Sequence, residues 1–281
     1  MGPEVESSPI AALDYGYIRG ISAVGSASHW QCGGHGFKSR MLHLIYLEGV
    51  FLAFAPSKFK EKRVLKIYIV RHGETKLNSE GRLQGWIDEP LIESGRELAK
   101  ITGQKLSDIC FHAAYSSPLK RAFETGQLII SENKAGSTDK IITDDRLKEI
   151  NFGEWDGLCC TKSNFEIGDD SFWKIYSDPF HYEGPANGES ILDVCKRTGA
   201  FWDELVSDKS LQDKNVIIFM HGCSLRAMLR KVYPVDEPFW HGHTPPNCSV
   251  NIIEVVGAKA KLIEDDKVYY DENLISNAYD Q

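Results

Sequence analysis

The run from Leu65 to Val70 constrains the fold of this chain more than any other stretch. It reads Leu-Lys-Ile-Tyr-Ile-Val and is almost continuously apolar, with β-branched and aromatic residues. Such a run is typical of a strand that is covered on both faces of a parallel or mixed sheet. Because Arg71, His72 and Gly73 follow at once, the strand is predicted to deliver an Arg-His pair to its carboxyl end. Gly73 lets the backbone approach a ligand closely at that point.

A second strand with the same ending indicates the fold class. Asn215 to Met220 is again strongly apolar, and His221-Gly222 follows before a helical pattern. Two strands that each end in His-Gly are hard to explain by the needs of a scaffold. The other segments alternate between the apolar spacing of helices and that of strands. Helices are expected over 94–106 and 190–206, and further strands over 112–115, 248–256 and 267–270. This alternation predicts an α/β/α sandwich with a mostly parallel central sheet and a site at the strand carboxyl ends.

Composition excludes several classes of partner. The chain has 281 residues, 42% of them hydrophobic, and a net charge of -8, without a long basic block, so nucleic acid is not an expected partner. Its seven cysteines form an odd set without paired C-x-x-C spacing, which argues against a disulfide framework and against a structural zinc site. These features favour a cytoplasmic protein. Nothing in the sequence indicates the oligomeric state.

The first 64 residues are patterned differently from the rest. Up to Arg40 they are rich in Gly and Ser and show no sustained periodicity, which is typical of loop or disorder. The apolar stretch from Leu42 to Ala55 contains Glu48 and is too short to span a membrane, so we expect a core or surface helix there and no membrane partner. We therefore interpret residues 1–64 as a disordered or non-native extension, and 65–275 as the functional domain. The intact mass of the endogenous protein tests this interpretation.

Four short motifs occur in order along residues 65–270. Taken alone, each motif can be explained without any catalytic or binding role: a polar His after a strand, a helical Arg in a surface salt bridge, or a Glu in an exposed loop. The motifs are Arg71-His72-Gly73-Glu74-Thr75, then Ser116 with Arg121 and Thr125, then Leu147-Lys148-Glu149 before Gly153-Glu154-Trp155, and finally His221-Gly222. Together they resemble the signature of the histidine phosphatase superfamily, in its phosphoglycerate-mutase-like branch.

The resemblance implies a role for each matched residue. His72 would be the nucleophile that carries phosphate, Glu149 the general acid and His221 the second catalytic histidine. The phosphate would be bound by a further set of residues: Arg71, Asn78, Gln84, Gly85, Arg121 and Gly222. No metal or other cofactor is expected, because the arginines supply the positive charge. His241 and His243 form an H-x-H pair without a convincing third ligand, and we interpret them as loop residues.

The function predicted from these motifs is hydrolysis of a small phosphorylated metabolite, a phosphomonoester, through phosphohistidine. One alternative is a cofactor-dependent phosphoglycerate mutase, and another is a non-catalytic phosphate-binding module. The aromatic-rich insertion at about 158–187 is expected either to fold over the pocket as a lid or to form a small core of its own. Its excess of acidic over basic residues disfavours a substrate with a second phosphate, and hence the mutase.

Overall fold

The computed structural model describes residues 44–47, 50–53 and 63–274. In the first of its two compact units, β1 (Leu44–Leu47) and β2 (Val50–Ala53) pair in antiparallel fashion. The helix predicted over Leu42 to Ala55 is therefore wrong. The strands are rich in β-branched and aromatic residues, and only two residues, including Gly49, separate them, which is the spacing of a β-hairpin. The loop or disorder expected up to Arg40 lies outside the described residues.

The second unit contains a six-stranded mixed sheet in the order β10-β9-β3-β8-β4-β5. The first four of these strands along the chain, β3, β4, β5 and β8, are parallel, and the last two pair in antiparallel fashion at one edge. The predicted α/β class with a mostly parallel sheet is thus confirmed. The sheet strands are β3 (Leu65–Arg71), β4 (Ala113–Ser116), β5 (Ile141–Thr143), β8 (Asn215–Met220), β9 (Val250–Val256) and β10 (Lys259–Lys267), while β6 (Cys160–Thr161) and β7 (Asn164–Phe165) form a separate small hairpin.

Helices cover both faces of this sheet, and the central strands are apolar on both sides for that reason. On β3, Ile67 and Ile69 belong to the same buried cluster as residues of α5 and α6. The alternate residues Tyr68 and Val70 belong to a second cluster with residues of α2 and α3. The helices are α1 (Lys76–Ser79), α2 (Glu93–Lys105), α3 (Lys120–Ser131), α4 (Lys174–Ser177), α5 (Ile191–Ser207) and α6 (Gly222–Leu229).

The last strand differs from the prediction. A strand was expected over 267–270, but β10 runs from Lys259 to Lys267 and turns back on β9. Because β10 is an edge strand with mostly charged side chains, it lacks the apolar pattern by which a buried strand is recognised. Gly257, at a φ of 60°, occupies the tight turn between the two strands.

The aromatic insertion at 158–187 packs in a buried cluster that it shares with α5 and α6. Phe172, Ile175 and Tyr182 are buried in one cluster with Ile191 of α5 and Cys223 of α6. Some of its rings remain exposed, since Tyr176 and Phe180 keep 39% and 40% of their surface accessible. In the part of the chain that the structure describes, no helix is both long and apolar enough to cross a membrane.

Candidate active site

A cavity lies where β3 and β8 end and the following loops begin. Six of the nine residues predicted for the site line it: Arg71, His72, Asn78, Gln84, Glu149 and Gly222. Two others contact His72 from behind this lining. Arg121 donates a hydrogen bond to its ring, and the ring of His221 lies 5.1 Å away, centroid to centroid. Sequence motifs that are up to 150 residues apart thus meet at one end of the sheet.

The histidine that ends β3 is held in one tautomer. His72 Nδ1 lies 2.7 Å from the carbonyl oxygen of Gly73, which can only accept, so Nδ1 carries the proton. Nε2 therefore presents a lone pair, towards which Arg121 Nε donates at 3.3 Å. Burial, together with the positive charges of Arg121 and Arg71, lowers the pKa of His72 well below its ordinary value. The ring is consequently neutral and able to act as a nucleophile.

The second histidine occupies the N-cap position of α6. His221 Nε2 is hydrogen bonded to Ser117 Oγ at 2.8 Å, and its buried Nδ1 has no hydrogen-bond partner. Burial, followed by the neighbouring Arg121 and His72, lowers its pKa well below the ordinary value. This ring is also neutral, and it keeps a ring nitrogen available for hydrogen bonding.

The guanidinium of Arg121 is fixed by backbone carbonyls. Nη1 donates to Ile87 O at 3.0 Å, and Nη2 donates to Gly85 O at 2.8 Å and to Gln84 O at 3.2 Å. Gly85 thus contacts the arginine and does not line the cavity. A Cβ at this position would lie 2.5 Å from Ile150 O, so any larger residue would displace the loop that orients Arg121.

Two buried side chains in the lining have donors without partners. Arg71 Nη1 donates to the carbonyl of Pro245, but its Nε donates to no acceptor. Gln84 Oε1 accepts from Thr75 Oγ1 at 2.6 Å, which leaves its Nε2 unpaired. Asn78 Oδ1 accepts from the Thr75 amide at 3.2 Å as part of a capping box. Since unpaired buried donors cost free energy, they indicate a site made for an anionic ligand.

Glu149 is held by the first turn of α6. Its Oε1 accepts from the amides of Ile150 and Ser224, both at 2.9 Å, and Oε2 accepts from the Cys223 amide at 3.0 Å. One of the two lone pairs on Oε2 remains available. A Cβ added to Gly222 would lie 3.7 Å from that oxygen, so the glycine keeps its approach open.

Arg197, on α5, orients the loop that carries Glu149 and was missed by sequence reasoning. It donates to the carbonyls of Lys148 at 2.6 Å and of Glu149 at 2.9 Å. Glu189 pairs with it through both carboxylate oxygens, at 2.8 and 2.9 Å. A helical arginine that follows Lys196 gives no sequence signal for such a role, because it looks like a solvent-exposed residue.

Asp156 and Asn247 also support the site. Asn247 Nδ2 donates to the carbonyl of His72 at 3.0 Å. Asp156 accepts from three successive amides, those of Gly85, Trp86 and Ile87. It thereby fixes the loop whose carbonyls orient Arg121. Asp156 directly follows the Gly-x-Trp motif, and this position was the only available signal for it.

The H-x-H pair participates in a separate polar cluster. His243 Nε2 lies 3.0 Å from Asp266 Oδ2, and the ring of His241 lies 3.8 Å from that of Tyr233. Within the described ranges, no three His, Cys, Asp or Glu side chains are grouped to hold a metal ion.

The arrangement has the parts that phosphoryl transfer requires. A neutral imidazole, Arg71, unpaired donors and a carboxylate line one small cavity, and Arg121 contacts the imidazole from behind that lining. Positive charge and fixed donors are what stabilise the equatorial oxygens of a phosphoryl group in its transition state.

Comparison with known proteins defines the family. Residues 67–264 match the model of the histidine phosphatase superfamily (branch 1), and the chain belongs to that family. The recognition made from the four motifs is thereby confirmed.

Curated relatives include both phosphatases and mutases. The chain is 34% identical to phosphoserine phosphatase 1 of Hydrogenobacter thermophilus over 178 residues, which are 63% of this chain and 81% of the relative. It is 33% identical to the 2,3-bisphosphoglycerate-dependent phosphoglycerate mutase of Cytophaga hutchinsonii over 175 residues, with coverage of 60% and 79%. Among solved structures, Bacillus stearothermophilus YhfR superposes with a TM-score of 0.62 at 32% identity and covers 72% of this chain and 97% of its own. Phosphatase and mutase activity are both compatible with these similarities.

Proposed function

We propose that this protein is a phosphomonoesterase that hydrolyses a small phosphorylated metabolite through a phosphohistidine on His72. The proposal is supported above all by His72, which has a lone pair on Nε2 and lines one cavity together with the unpaired donors of Arg71 and Gln84. A phosphate group placed there accepts from these donors and lies beside the nucleophilic nitrogen. It replaces that nitrogen as the acceptor of the hydrogen bond from Arg121 Nε. The six cysteines within residues 63–274 are free thiols, which supports a reducing cytoplasm as its location.

In the first step, the hydrogen bond from Arg121 Nε to His72 Nε2 opens, the freed lone pair of Nε2 attacks phosphorus, and the bond to the ester oxygen breaks. The proton stays on Nδ1 and keeps its hydrogen bond to the Gly73 carbonyl, so the ring remains oriented while positive charge develops on it. Glu149 enters this step with a proton on Oε2, the oxygen that has a lone pair without a partner, and gives that proton to the leaving alkoxide. In the second step the same carboxylate removes a proton from water, which attacks the phosphohistidine and releases phosphate.

The walls of the cavity support hydrolysis over mutase activity. Among the described residues, the lining contains no lysine and no arginine other than Arg71. A phosphoglycerate mutase must also hold a second phosphate and a carboxylate, which requires additional positive charge. Leu83, Phe152 and other apolar side chains occupy those walls instead.

An assay with 3-phosphoglycerate and 2,3-bisphosphoglycerate separates the two activities. We expect little formation of 2-phosphoglycerate, because nothing in the cavity binds a second anionic group. In parallel, a panel of phosphomonoesters is expected to yield free phosphate, measured colorimetrically. The His72→Ala protein, purified identically, controls for contaminating phosphatases. Interconversion of the phosphoglycerates well above phosphate release would identify a mutase.

A further inference from the structure

A second and larger cavity adjoins the catalytic one. It has a volume of about 750 Å³, and it shares Tyr176, Trp240 and Thr244 with the lining of the catalytic cavity. This volume falls within the usual range of small-molecule sites. The shared residues place the larger cavity beside the catalytic one, where the leaving group of a phosphate ester bound at His72 would extend.

The walls of the larger cavity are mainly aromatic. They are formed by two segments of the chain, which contribute Trp173, Tyr176, Phe180, Phe239 and Trp240. Tyr176 and Trp240 lie 5.5 Å apart between ring centroids, and Phe239 and Trp240 lie 5.1 Å apart. Aromatic rings pack favourably against other planar apolar groups and lose unfavourable contact with water when they do so. Since Tyr176 and Phe180 are well exposed, a ligand here covers apolar surface that the protein itself leaves open.

The charges in this cavity act against an anionic ligand. Asp236 and Glu237 both contribute to its lining, whereas Lys162 and His243 are the basic side chains that the described residues contribute. Asp236 is exposed, and the carboxylate of Glu237 approaches His241 only at 3.8 Å. A carboxylate or second phosphate on the leaving group would therefore meet a net negative charge, and it would lose its hydration on entering.

We propose that this cavity selects the leaving group, and that the substrates are phosphomonoesters of bulky, planar, apolar alcohols that carry no negative charge of their own. The inference rests on the proposed phosphatase activity and specifies its substrate class. This class differs from phosphoserine and phosphoglycerate, whose leaving groups are short and carry a carboxylate.

Two esters with matched chemistry test the preference. Ethyl phosphate and naphthylethyl phosphate both release a primary alkoxide, so they differ mainly in the group that would enter the cavity. We expect kcat/KM to be about 100-fold higher for the naphthylethyl ester, from burial of its two rings. A naphthylethyl ester with a carboxylate on the far ring should lose most of this advantage. Equal kcat/KM for the first two esters would overturn the inference and leave the phosphatase activity standing.

Variants locate the preference in the cavity. Trp240→Ala and Phe180→Ala should each reduce the naphthylethyl-to-ethyl ratio by about tenfold, the amount expected from the loss of one aromatic contact. Leu192→Ala is the matched control, because Leu192 is an apolar residue of α5 that is 55% exposed and lies outside both cavities. Its ratio should equal that of the wild type. An unchanged ratio in both aromatic variants would contradict the assignment.

A binding measurement separates this inference from the proposed catalysis. Naphthylethanol, the product alcohol, should bind to the His72→Ala protein in calorimetric titration and bind at least tenfold more weakly when Trp240→Ala is added. This readout requires no turnover. Absence of binding would overturn the cavity assignment, whereas binding without hydrolysis of any ester by the wild type would contradict the phosphatase activity alone.

Discussion

Alanine at position 72 is expected to reduce phosphate release by at least about 10⁴-fold, because the variant has no atom that can accept the phosphoryl group. The structure gives two reasons to expect so large an effect. His72 Nε2 is the neutral nitrogen of the cavity that Arg121 faces, and its tautomer is fixed by Gly73. Hydrolysis of an aryl phosphate under single-turnover conditions measures the loss.

His112→Ala is the matched control for this variant. His112 is an exposed residue that precedes β4 and lies outside the cavity. The His112→Ala protein should retain turnover close to that of the wild type. Both variants should have the circular dichroism spectrum of the wild type. Substantial activity in a folded His72→Ala protein would exclude nucleophilic catalysis by His72.

Glutamine at position 149 is expected to slow hydrolysis of alkyl phosphates by roughly 10²–10⁴-fold more than hydrolysis of an aryl phosphate, the range typical of general acid catalysis. An alkoxide needs a proton as it departs, whereas a nitrophenolate departs without one. Glu149 Oε2, which has a lone pair left, is the proposed carrier of this proton, and a neutral amide cannot replace it. The quantity to measure is the ratio of kcat/KM for the two kinds of ester.

The ratio corrects for a structural effect of the same substitution. A glutamine NH₂ group would face the backbone N–H groups that the carboxylate now accepts from, so the variant should also lose some thermal stability. That loss affects both esters equally, whereas loss of the acid affects mainly the alkyl ester. Glu154→Gln, an exposed residue of the same loop, is the control. Equal reductions for both esters would mean that Glu149 has a structural role or acts only on water.

The parts of the fold that could be predicted are those with strong local patterns. β3 and β8 are buried on both faces and therefore read as continuous apolar runs, and α5 begins at Ser190 with a capping box to Asp193. β10 and the β1-β2 hairpin were not predicted correctly. In β10 the charged side chains of an edge strand conceal the strand, and in the hairpin an apolar run was too short to distinguish helix from strand by periodicity.

The residues of the candidate site also fall into two groups, those that the sequence could predict and those that it could not. The residues that converge on the cavity lie at strand ends or in motifs that resemble the family, so sequence reasoning identified them. Residues that orient them through backbone groups were not identified, because a contact from Arg197 to the carbonyl of Glu149 leaves no trace in local spacing. Gly85 shows an intermediate case: the motif marked it, but only the structure places it against Arg121, outside the cavity lining.

Trapping of the covalent intermediate tests the central proposal most directly. Wild-type protein is mixed with a phosphomonoester labelled in its phosphoryl group, quenched within the first turnover and analysed by peptide mass spectrometry. We expect a phosphorylated peptide with the label on His72, labile in acid and stable in base, and absent from the His72→Ala protein. Phosphate released at the same rate without any labelled protein, or label on another residue, would contradict it.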